Sequence, residues 1–587
     1  MSETKVAGKT YDIHILRRVL TYMKPYKVIF VWSILLTLLM AGVAPLLPVL
    51  VEYTLDNYIL EGDMGGLGKM ALLMLILLLV QTLVRYFHTL FTNTLGQSVI
   101  RDLRSDVFNH ITQLRLKYFD RTPIGKLITR TVSDLETISD IFSQGLIQII
   151  GDILQLVVIL GVMFYTDWRL TLIVLIPMPV MLIATYFFKE AMKSSFQDVR
   201  TWVSRLNTFL QEHISGISVI QYFAREKQEY NKFIAINAEH RNAHIRSNWY
   251  FSIFFPVIEI IMAIALGLLV WYGSKSALNG SISLGVVVAF IMYINMIFRP
   301  VRELVDKFNT LQMGMIGAER IFAVLDTDEK TENQGHIIPE NLRGKIEFEN
   351  VWFAYDEKKW VLKDISFTLE AGQTLALVGA TGAGKSSIIN ILSRFYEINK
   401  GSIKIDGIDI REYDLNYLRK SIAVVHQDVF LFSDTIANNI NLLDPEITMY
   451  QIKEAAASVG ADVFTERLPN GYNYQVQERG ATLSSGQAQM VSFIRALVHK
   501  PKVLVLDEAT SSVDTETEEL IQKAIEKLME NRSAIIIAHR LSTIQKADKI
   551  IVLDHGEIKE IGSHQELLKM DGYYKRLYDL QFHSAGI

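Results

Sequence analysis

The stretch Gly379-Ala-Thr-Gly-Ala-Gly-Lys385-Ser386 decides how this chain is read. The apolar run Leu375-Ala-Leu-Val378 before it predicts a buried strand, and Ser387-Ile-Ile-Asn-Ile-Leu392 after it predicts a helix. Between two such elements the glycines let successive backbone N–H groups turn inward around phosphate oxygens. Lys385 is then placed to neutralise β/γ-phosphate charge, and Ser386 to hold Mg²⁺. With Gly379, the residues Thr381, Gly382, Gly384 and Ser387 complete the set expected to contact a nucleotide.

A second apolar run, Val503-Leu-Val-Leu, ends in Asp507-Glu508. At the end of a core strand Asp507 can orient the Mg²⁺ shell, and Glu508 beside it can polarise an attacking water. A mere surface carboxylate would not need a buried run to aim it at a cleft. His539 follows another apolar run, Ala534 to Ala538. A histidine at a strand end is often structural, but a place one core strand further on also suits contact with the γ-phosphate, fixing the geometry of the water. Tyr355 leaves two readings open, a core aromatic or a ring stacked on adenine.

Upstream, the sequence is of another kind. Residues 28–50 carry no charge, enough to cross about 30 Å of hydrocarbon as a helix. Further apolar runs at about 70–92, 141–165, 170–188, 251–273 and 281–298 bring the predicted spans to six. Lys5, Lys9, Arg17, Arg18, Lys24 and Lys27 precede the first, with no small-residue cleavage pattern after it, so a removed signal peptide is not expected. Arg101, Arg104, Arg115, Lys117, Arg121, Lys126 and Arg130 crowd one inter-span segment, and 189–250 is also densely charged. The connections at 166–169 and 274–280 hold only Asp167, Arg169 and Lys275. The positive-inside bias therefore predicts a multi-pass protein of the cytoplasmic membrane with both termini and the soluble domain in the cytoplasm.

Leu103, Val107, Ile111 and Leu114 draw one apolar stripe, and Val199, Val203, Leu206 and Leu210 another. Helices are thus expected to continue past the membrane as stalks, bending near Asp120-Arg121-Thr122-Pro123 and near Ser215-Gly216, where the soluble half could grip. Within the spans, Asp152 and Glu259 are candidates to bind a cation or cationic substrate, the alternative for Asp152 being a place near a cytoplasmic or interfacial turn or a pairing within the bundle, while Arg85 and His88 either meet substrate or reach an interface.

From about Gly317 the chain turns polar, and Gly344-Lys-Ile-Glu-Phe-Glu-Asn350 alternates like a strand. The expected layout is a membrane all-α domain of six helices at 1–324, a linker at 325–342 and an α/β domain at 343–587. A mean hydropathy of +0.22 averages these unlike halves. With 59 basic and 63 acidic side chains and a net charge of −4, no basic excess is available for nucleic acid. Cysteine is absent, so disulfides, a thiolate nucleophile and Cys-ligated metal are excluded. The histidines do not cluster at ligand spacing, and no structural metal is expected.

Together these residues resemble the ATP-binding cassette (ABC) transporter superfamily, specifically exporter-type half-transporters in which six spans precede one cassette. The resemblance covers nearly the whole chain. Tyr355 matches the adenine-stacking aromatic, and Gln427 in Val425-His-Gln-Asp428 matches the glutamine that senses Mg²⁺ and the membrane domain. Ser484, Ser485, Gly486 and Gln487, in Leu483-Ser-Ser-Gly-Gln487, match the signature that closes on a partner's ATP. Ser511-Ser-Val-Asp514 matches the loop that crosses the dimer, and Glu478-Arg-Gly480 the contact to the coupling helices.

The resemblance implies a type I exporter membrane domain joined to an α/β P-loop NTPase cassette. ATP and Mg²⁺ are the implied cofactors, with Ser386, Gln427 and Asp507 around the metal and Glu508 and His539 catalytic. It further implies two cassettes sandwiching two ATP molecules, and alternating access for hydrophobic or amphipathic cargo such as a lipid or drug-like molecule. A peptide or other-solute exporter, or a largely regulatory ATP-binding subunit, is the alternative. The signature departs from Leu-Ser-Gly-Gly-Gln at Ser485, and Ala488 stands where many relatives have arginine. A serine adds a side chain where backbone and phosphate approach closely. The chain is therefore expected to complete a partner's site imperfectly, which favours a heterodimer with a different half-transporter over a homodimer.

Overall fold

A computed structural model describes residues 13–356, 359–507, 515–537 and 541–579. The chain divides into two compact units, one of residues 1–112 and 124–327, the other of residues 113–123 and 328–587.

The first unit is helical: α1 (Ile13–Thr21), α2 (Lys27–Val43), α3 (Leu46–Thr54) and α4 (Met64–Thr112) precede a short helix, α5 (Leu116–Arg121), that belongs to the second unit. It continues with α6 (Ile124–Thr129), α7 (Leu135–Asp140), α8 (Ile147–Thr166), α9 (Trp168–Leu175), α10 (Met178–Ser215), α11 (Ile217–Tyr222), α12 (Glu226–Leu278) and α13 (Leu284–Leu325). Among the described residues, Lys24–Ile59, Met64–Thr112, Ile147–Thr166, Trp168–Ser215 and Glu226–Leu278 are long and apolar enough to cross a membrane, and Leu284–Pro300 is a shorter apolar stretch. About 20 residues suffice for hydrocarbon. The 49 residues of α4 and 53 of α12 therefore overrun it, and their charged ends continue as rods. Residues 141–146, expected as the start of a span, form a wider π-type stretch ahead of α8.

Of the first expected stripe, Leu103 and Val107 are fully buried, packed with Val19, Leu135, Ile138 and Ile321. The second stripe is shifted from expectation: Val203 and Leu210 are exposed, while Met192, Ser195, Val199, Trp202, Leu206 and Phe209 form the covered line on α10. A helix turns 3.6 residues at a time, and the bulky Trp202 and Phe209 carry the buried face one step away from the smaller aliphatics. The expected bends coincide with the end of α5 at Arg121 and of α10 at Ser215, followed by Gly216.

Small residues set how closely α13 approaches α7. A Cβ on Gly314 would lie 2.3 Å from Ile141 Cγ1 and 2.6 Å from the Thr137 carbonyl oxygen, and one on Gly317 would lie 2.4 Å from Thr137 Oγ1. Neither helix can hold that spacing against a larger side chain.

The second unit contains two sheets. β1 (Ile346–Phe353), β2 (Leu362–Leu369), β4 (Lys400–Ile405) and β5 (Ile408–Asp409) form an antiparallel sheet in the order β2-β1-β4-β5. The other has the order β10-β9-β3-β8-β7-β6, from β3 (Thr374–Gly379), β6 (Ile422–Val425), β7 (Val503–Asp507), β8 (Ser533–Ile537), β9 (Lys549–Asp554) and β10 (Glu557–Gly562). All but β10 run parallel. The helices are α14 (Lys385–Leu392), α15 (Leu415–Ser421), α16 (Ile436–Asn441), α17 (Met449–Ser458), α18 (Asp462–Arg467), α19 (Ser485–Val498), α20 (Thr515–Met529), α21 (Leu541–Lys546), α22 (His564–Lys569) and α23 (Tyr573–Tyr578).

The parallel strands are covered on both faces, which explains their unbroken apolar runs. On β3, Leu375 and Leu377 enter one core and Ala376 and Val378 the other. β7 and β8 divide in the same way, with Val503, Val505, Ile535 and Ile537 on the first side and Leu504, Leu506, Ala534 and Ile536 on the second.

Replacing Gly314 by valine is expected to cost about 1–3 kcal/mol through overpacking. Gly161 has nothing within 4 Å of its Cβ position, so G161A should leave stability nearly unchanged. Thermal unfolding of the detergent-purified variants, read by tryptophan fluorescence, checks the contrast.

Candidate nucleotide-binding site

β3 ends at Gly379 and α14 begins at Lys385, so the quoted loop joins a buried strand to a helix. A Cβ on Gly379 would lie 2.2 Å from the Leu553 carbonyl oxygen on the neighbouring strand. Gly384, at φ +106°, has Leu362 Cδ2 2.6 Å from its Cβ position. Only glycine fits either place. Gly382 has nothing within 4 Å of its Cβ position, and it sits with Thr381 and Ser386 on the exposed rim.

Lys385 is only 8% exposed. Its ammonium donates to the carbonyls of Gly379 at 2.7 Å and Ala380 at 3.1 Å. Burial pushes its pKa below the usual lysine range, while Asp507 pulls the other way. A cation held in a buried loop by two neutral carbonyls gains when anionic oxygens come within reach, because charge-assisted bonds are roughly twice as strong.

The parallel register puts Asp507 level with Leu377, two residues before Gly379, close enough for its charge to act on Lys385. Leu377 pairs with Ile537, which pairs with Asp507. Gln427 lies exposed two residues beyond β6, whose Val425 pairs with Leu506. The phosphate loop, Asp507 and Gln427 thus share the carboxyl edge of the sheet, the edge at which open α/β sheets bind ligands. Glu508, Asp514 and His539 lie outside the described residues.

Ser484 caps α19 reciprocally: its hydroxyl accepts from the Gln487 N–H at 3.2 Å, and Gln487 Oε1 accepts from the Ser484 N–H at 3.0 Å. Ser484 and Ser485 are exposed, and Gly486 is buried. Ser485 is the first residue of the helix and is not among the residues at positive φ, so the backbone there does not demand glycine. The 14-residue helix presents its first N–H groups, and the positive end of its dipole, at this exposed start.

Tyr355 is half-buried. Its ring packs edge-on against Phe353 at 4.7 Å and Tyr396 at 4.9 Å. Its hydroxyl lies 3.1 Å from Ser387 Oγ and accepts from Asn390 Nδ2 at 3.2 Å. Ser387 therefore turns into the core side of α14 toward Tyr355, whereas Ser386 stays on the rim.

Sequence reasoning missed Tyr396. It is 7% exposed and donates its hydroxyl to Asp120, on α5. Burial and that carboxylate push its pKa well above the ordinary tyrosine value. Arg121 Nη2 bonds Asp356 at 2.6 Å, the residue after Tyr355. Upstream of α5, the Arg115 N–H donates to the Glu329 carbonyl at 2.8 Å and Arg115 Nε to the Lys330 carbonyl at 2.6 Å. The turn signal at Asp120–Pro123 pointed to this segment without naming its partner.

Residues 29–301 match the family described as ABC transporter transmembrane region, and residues 362–511 the family described as ABC transporter. The chain belongs to the ABC transporter family. The uncharacterized ABC transporter ATP-binding protein YknV of Bacillus subtilis (strain 168) is 38% identical over 587 residues, spanning 100% of this chain and 97% of that one. The ATP-dependent lipid A-core flippase of Desulfotalea psychrophila is 36% identical over 576 residues, covering 97% of this chain and 99% of that one. YgaD of Bacillus subtilis (strain 168), designated a multidrug export ATP-binding/permease protein, is 34% identical over 576 residues, with the same coverage. This ABC transporter is a multi-pass membrane protein whose cassette binds ATP, and its ATPase activity is coupled to transport.

Changing Lys385 to Ala is expected to lower ATP hydrolysis by at least about 100-fold, the scale of losing one charge-stabilising donor. G379V, which drives a side chain into the Leu553 carbonyl, should abolish binding of a fluorescent ATP analogue. Phosphate release and equilibrium fluorescence titration check the two outcomes.

Proposed function

We propose that this ABC transporter exports or flips a hydrophobic or amphipathic molecule, such as a lipid or drug-like compound, across the cytoplasmic membrane by alternating access of a dimer. The observation that carries this proposal is a cavity of about 870 Å³ within the first unit, walled by α2, α3, α4, α8 and α13. Its lining joins apolar Met40, Leu47 and Met292 to polar Gln81, Arg85 and Asn295, the mixture that suits a ligand with an apolar body and a polar end. The relatives designated for multidrug export and for lipid A-core flipping are associated with cargo of that kind.

Asp152 lies in the same wall and pairs with Lys307. This supports the alternative in which its charge is answered inside the bundle. Glu259 is exposed and is not among the lining residues. Arg85 and His88 both line the cavity, with His88 Nε2 3.0 Å from Thr37 Oγ1.

In the cassette, Lys385 and the loop N–H groups take the phosphates, and Tyr355 lies beside the base. Ser386, Asp507 and Gln427 offer oxygen donors of the kind Mg²⁺ accepts, and a bound ion would neutralise phosphate charge there. Glu508 is assigned to polarising the attacking water and His539 to the γ-phosphate. The exposed start of α19, from Ser484 to Gln487, is assigned to a partner's ATP, with Asp514 at the crossing loop. Both termini and the cassette are assigned to the cytoplasm.

We favour a heterodimer, on the substitution at Ser485 and on Ala488. Purification from native membranes should yield a second, different half-transporter; a single polypeptide species would overturn the heterodimer. In proteoliposomes, E508Q is expected to keep ATP binding and abolish ATP-dependent movement of a labelled amphiphile. Undiminished transport by that variant would overturn the catalytic assignment.

A further inference from the structure

α5 follows α4 in the chain after residues 113–115, yet its polar contacts are with the cassette. Two of them converge on Tyr355. Asp120 holds the hydroxyl of Tyr396, and the Tyr396 ring stands perpendicular, at 88°, against Tyr355 with 4.9 Å between centroids. Arg121 holds Asp356, the next residue along. From Tyr355 the contact passes into the phosphate-loop helix through Ser387, at 3.1 Å, and Asn390, at 3.2 Å.

The bland account is that Phe353, Tyr355 and Tyr396 are simply a core cluster. Ring packing alone does not explain the hydroxyl. A nearly buried phenol needs a hydrogen-bond partner, and this one spends its proton on an exposed carboxylate of α5 rather than on a group of its own sheet or helix. An exposed pair such as Arg121–Asp356 contributes little to stability, but with Asp120 it fixes α5 at two points around one aromatic ring.

We propose that Tyr396 is a positioning residue that ties the seating of α5 to the nucleotide affinity of the phosphate loop, acting through Tyr355. The proposal rests on the assignment of ATP to the loop Gly379–Ser386 with Tyr355 beside it. When α5 is seated, Asp120 orients Tyr396, Tyr396 limits the ring of Tyr355 to one position, and Tyr355 steadies Ser387 next to the phosphate-binding Ser386. When α5 is displaced, the Tyr396 hydroxyl loses its acceptor and Tyr355 gains freedom. ATP affinity falls, with little direct effect on the chemical step.

The experiment uses the full transporter in lipid nanodiscs, with steady-state ATPase kinetics and titration of a fluorescent ATP analogue. Y396F keeps the ring and removes only the hydroxyl, D120A removes the acceptor, and D120N keeps an acceptor oxygen. Y396F and D120A are each expected to raise KM for ATP by about 3- to 10-fold, the range one hydrogen bond supplies. The value of kcat should stay within about twofold, as for lost binding rather than lost transition-state stabilisation. D120N should stay near wild type, and the double variant Y396F/D120A should be no worse than either single variant, as expected for one shared interaction.

Wild-type KM in Y396F, strictly additive effects in the double variant, or a fall in kcat at constant KM would each overturn the relay. G379V, which drives a side chain into the Leu553 carbonyl, separates the underlying assignment. If that variant still binds the analogue normally, the loop is not where nucleotide binds; if it does not bind and Y396F is silent, the relay alone fails.

Discussion

Two-sided burial of β3, β7 and β8 is the constraint on which the nucleotide site depends. A strand covered on one face is held in register because a one-residue slip exposes its apolar set. Here a slip would bury the set again, but on the wrong side, so register is held by size. Leu375 and Leu377 fill one core while Ala376 and Val378 fill the other, and Ile535 and Ile537 stand opposite Ala534 and Ile536. Shifting β3 by one position would force leucines into space shaped for alanine and valine and leave cavities behind, and both errors are costly. The ends of these strands are thereby fixed to within a residue. That fixes Gly379 against Leu553 and puts Asp507 level with Leu377, at the same edge of the sheet as the loop Gly379–Ser386.

The membrane unit obeys a different rule. Lipid tails are as apolar as leucine, so helices there gain little from hiding apolar side chains and must gain from close approach and polar contacts. Gly314 and Gly317 on α13 serve the first need against α7. Asp152 and Lys307, on α8 and α13, serve the second. Charges of this kind persist in a membrane only where they pair or face a polar cavity, and both residues line the cavity walled by α2, α3, α4, α8 and α13. On α13, therefore, one helix supplies both the close approach to α7 and part of the cavity wall.

What the sequence made legible follows the range of the interactions involved. The strand, glycine loop and helix around Gly379–Ser386 are readable because the glycines answer local steric demands, and the long apolar helices because length and absence of charge are local properties. On α10 the expected stripe is half met: Val199 and Leu206 are on the covered line, which Trp202 and Phe209 complete in place of Val203 and Leu210, because a pattern of aliphatics does not reveal where large rings lie. The partner of Asp152 was left open because Lys307 is 155 residues away. Tyr396 escaped notice because Asp120 is 276 residues distant and nothing around either residue marks the pair. A single cut near 325–342 also could not express that residues 113–123 group with the second unit.

That grouping has a physical consequence. The segment 113–123 is held by several directional bonds as well as by buried apolar side chains. Arg115 reaches the backbone of Glu329 and Lys330, Gln113 accepts from Lys330 at 2.7 Å, and Arg121 and Asp120 reach the cassette through Asp356 and Tyr396. Apolar burial is non-directional and yields gradually, whereas hydrogen bonds are lost over a short displacement. Leu114 and Tyr118 are buried beside these polar contacts, and a helix of six residues depends on such contacts to form at all. A contact of this directional kind is either made or lost, so the seating of α5 is set by whether Asp120 and Arg121 keep Tyr396 and Asp356.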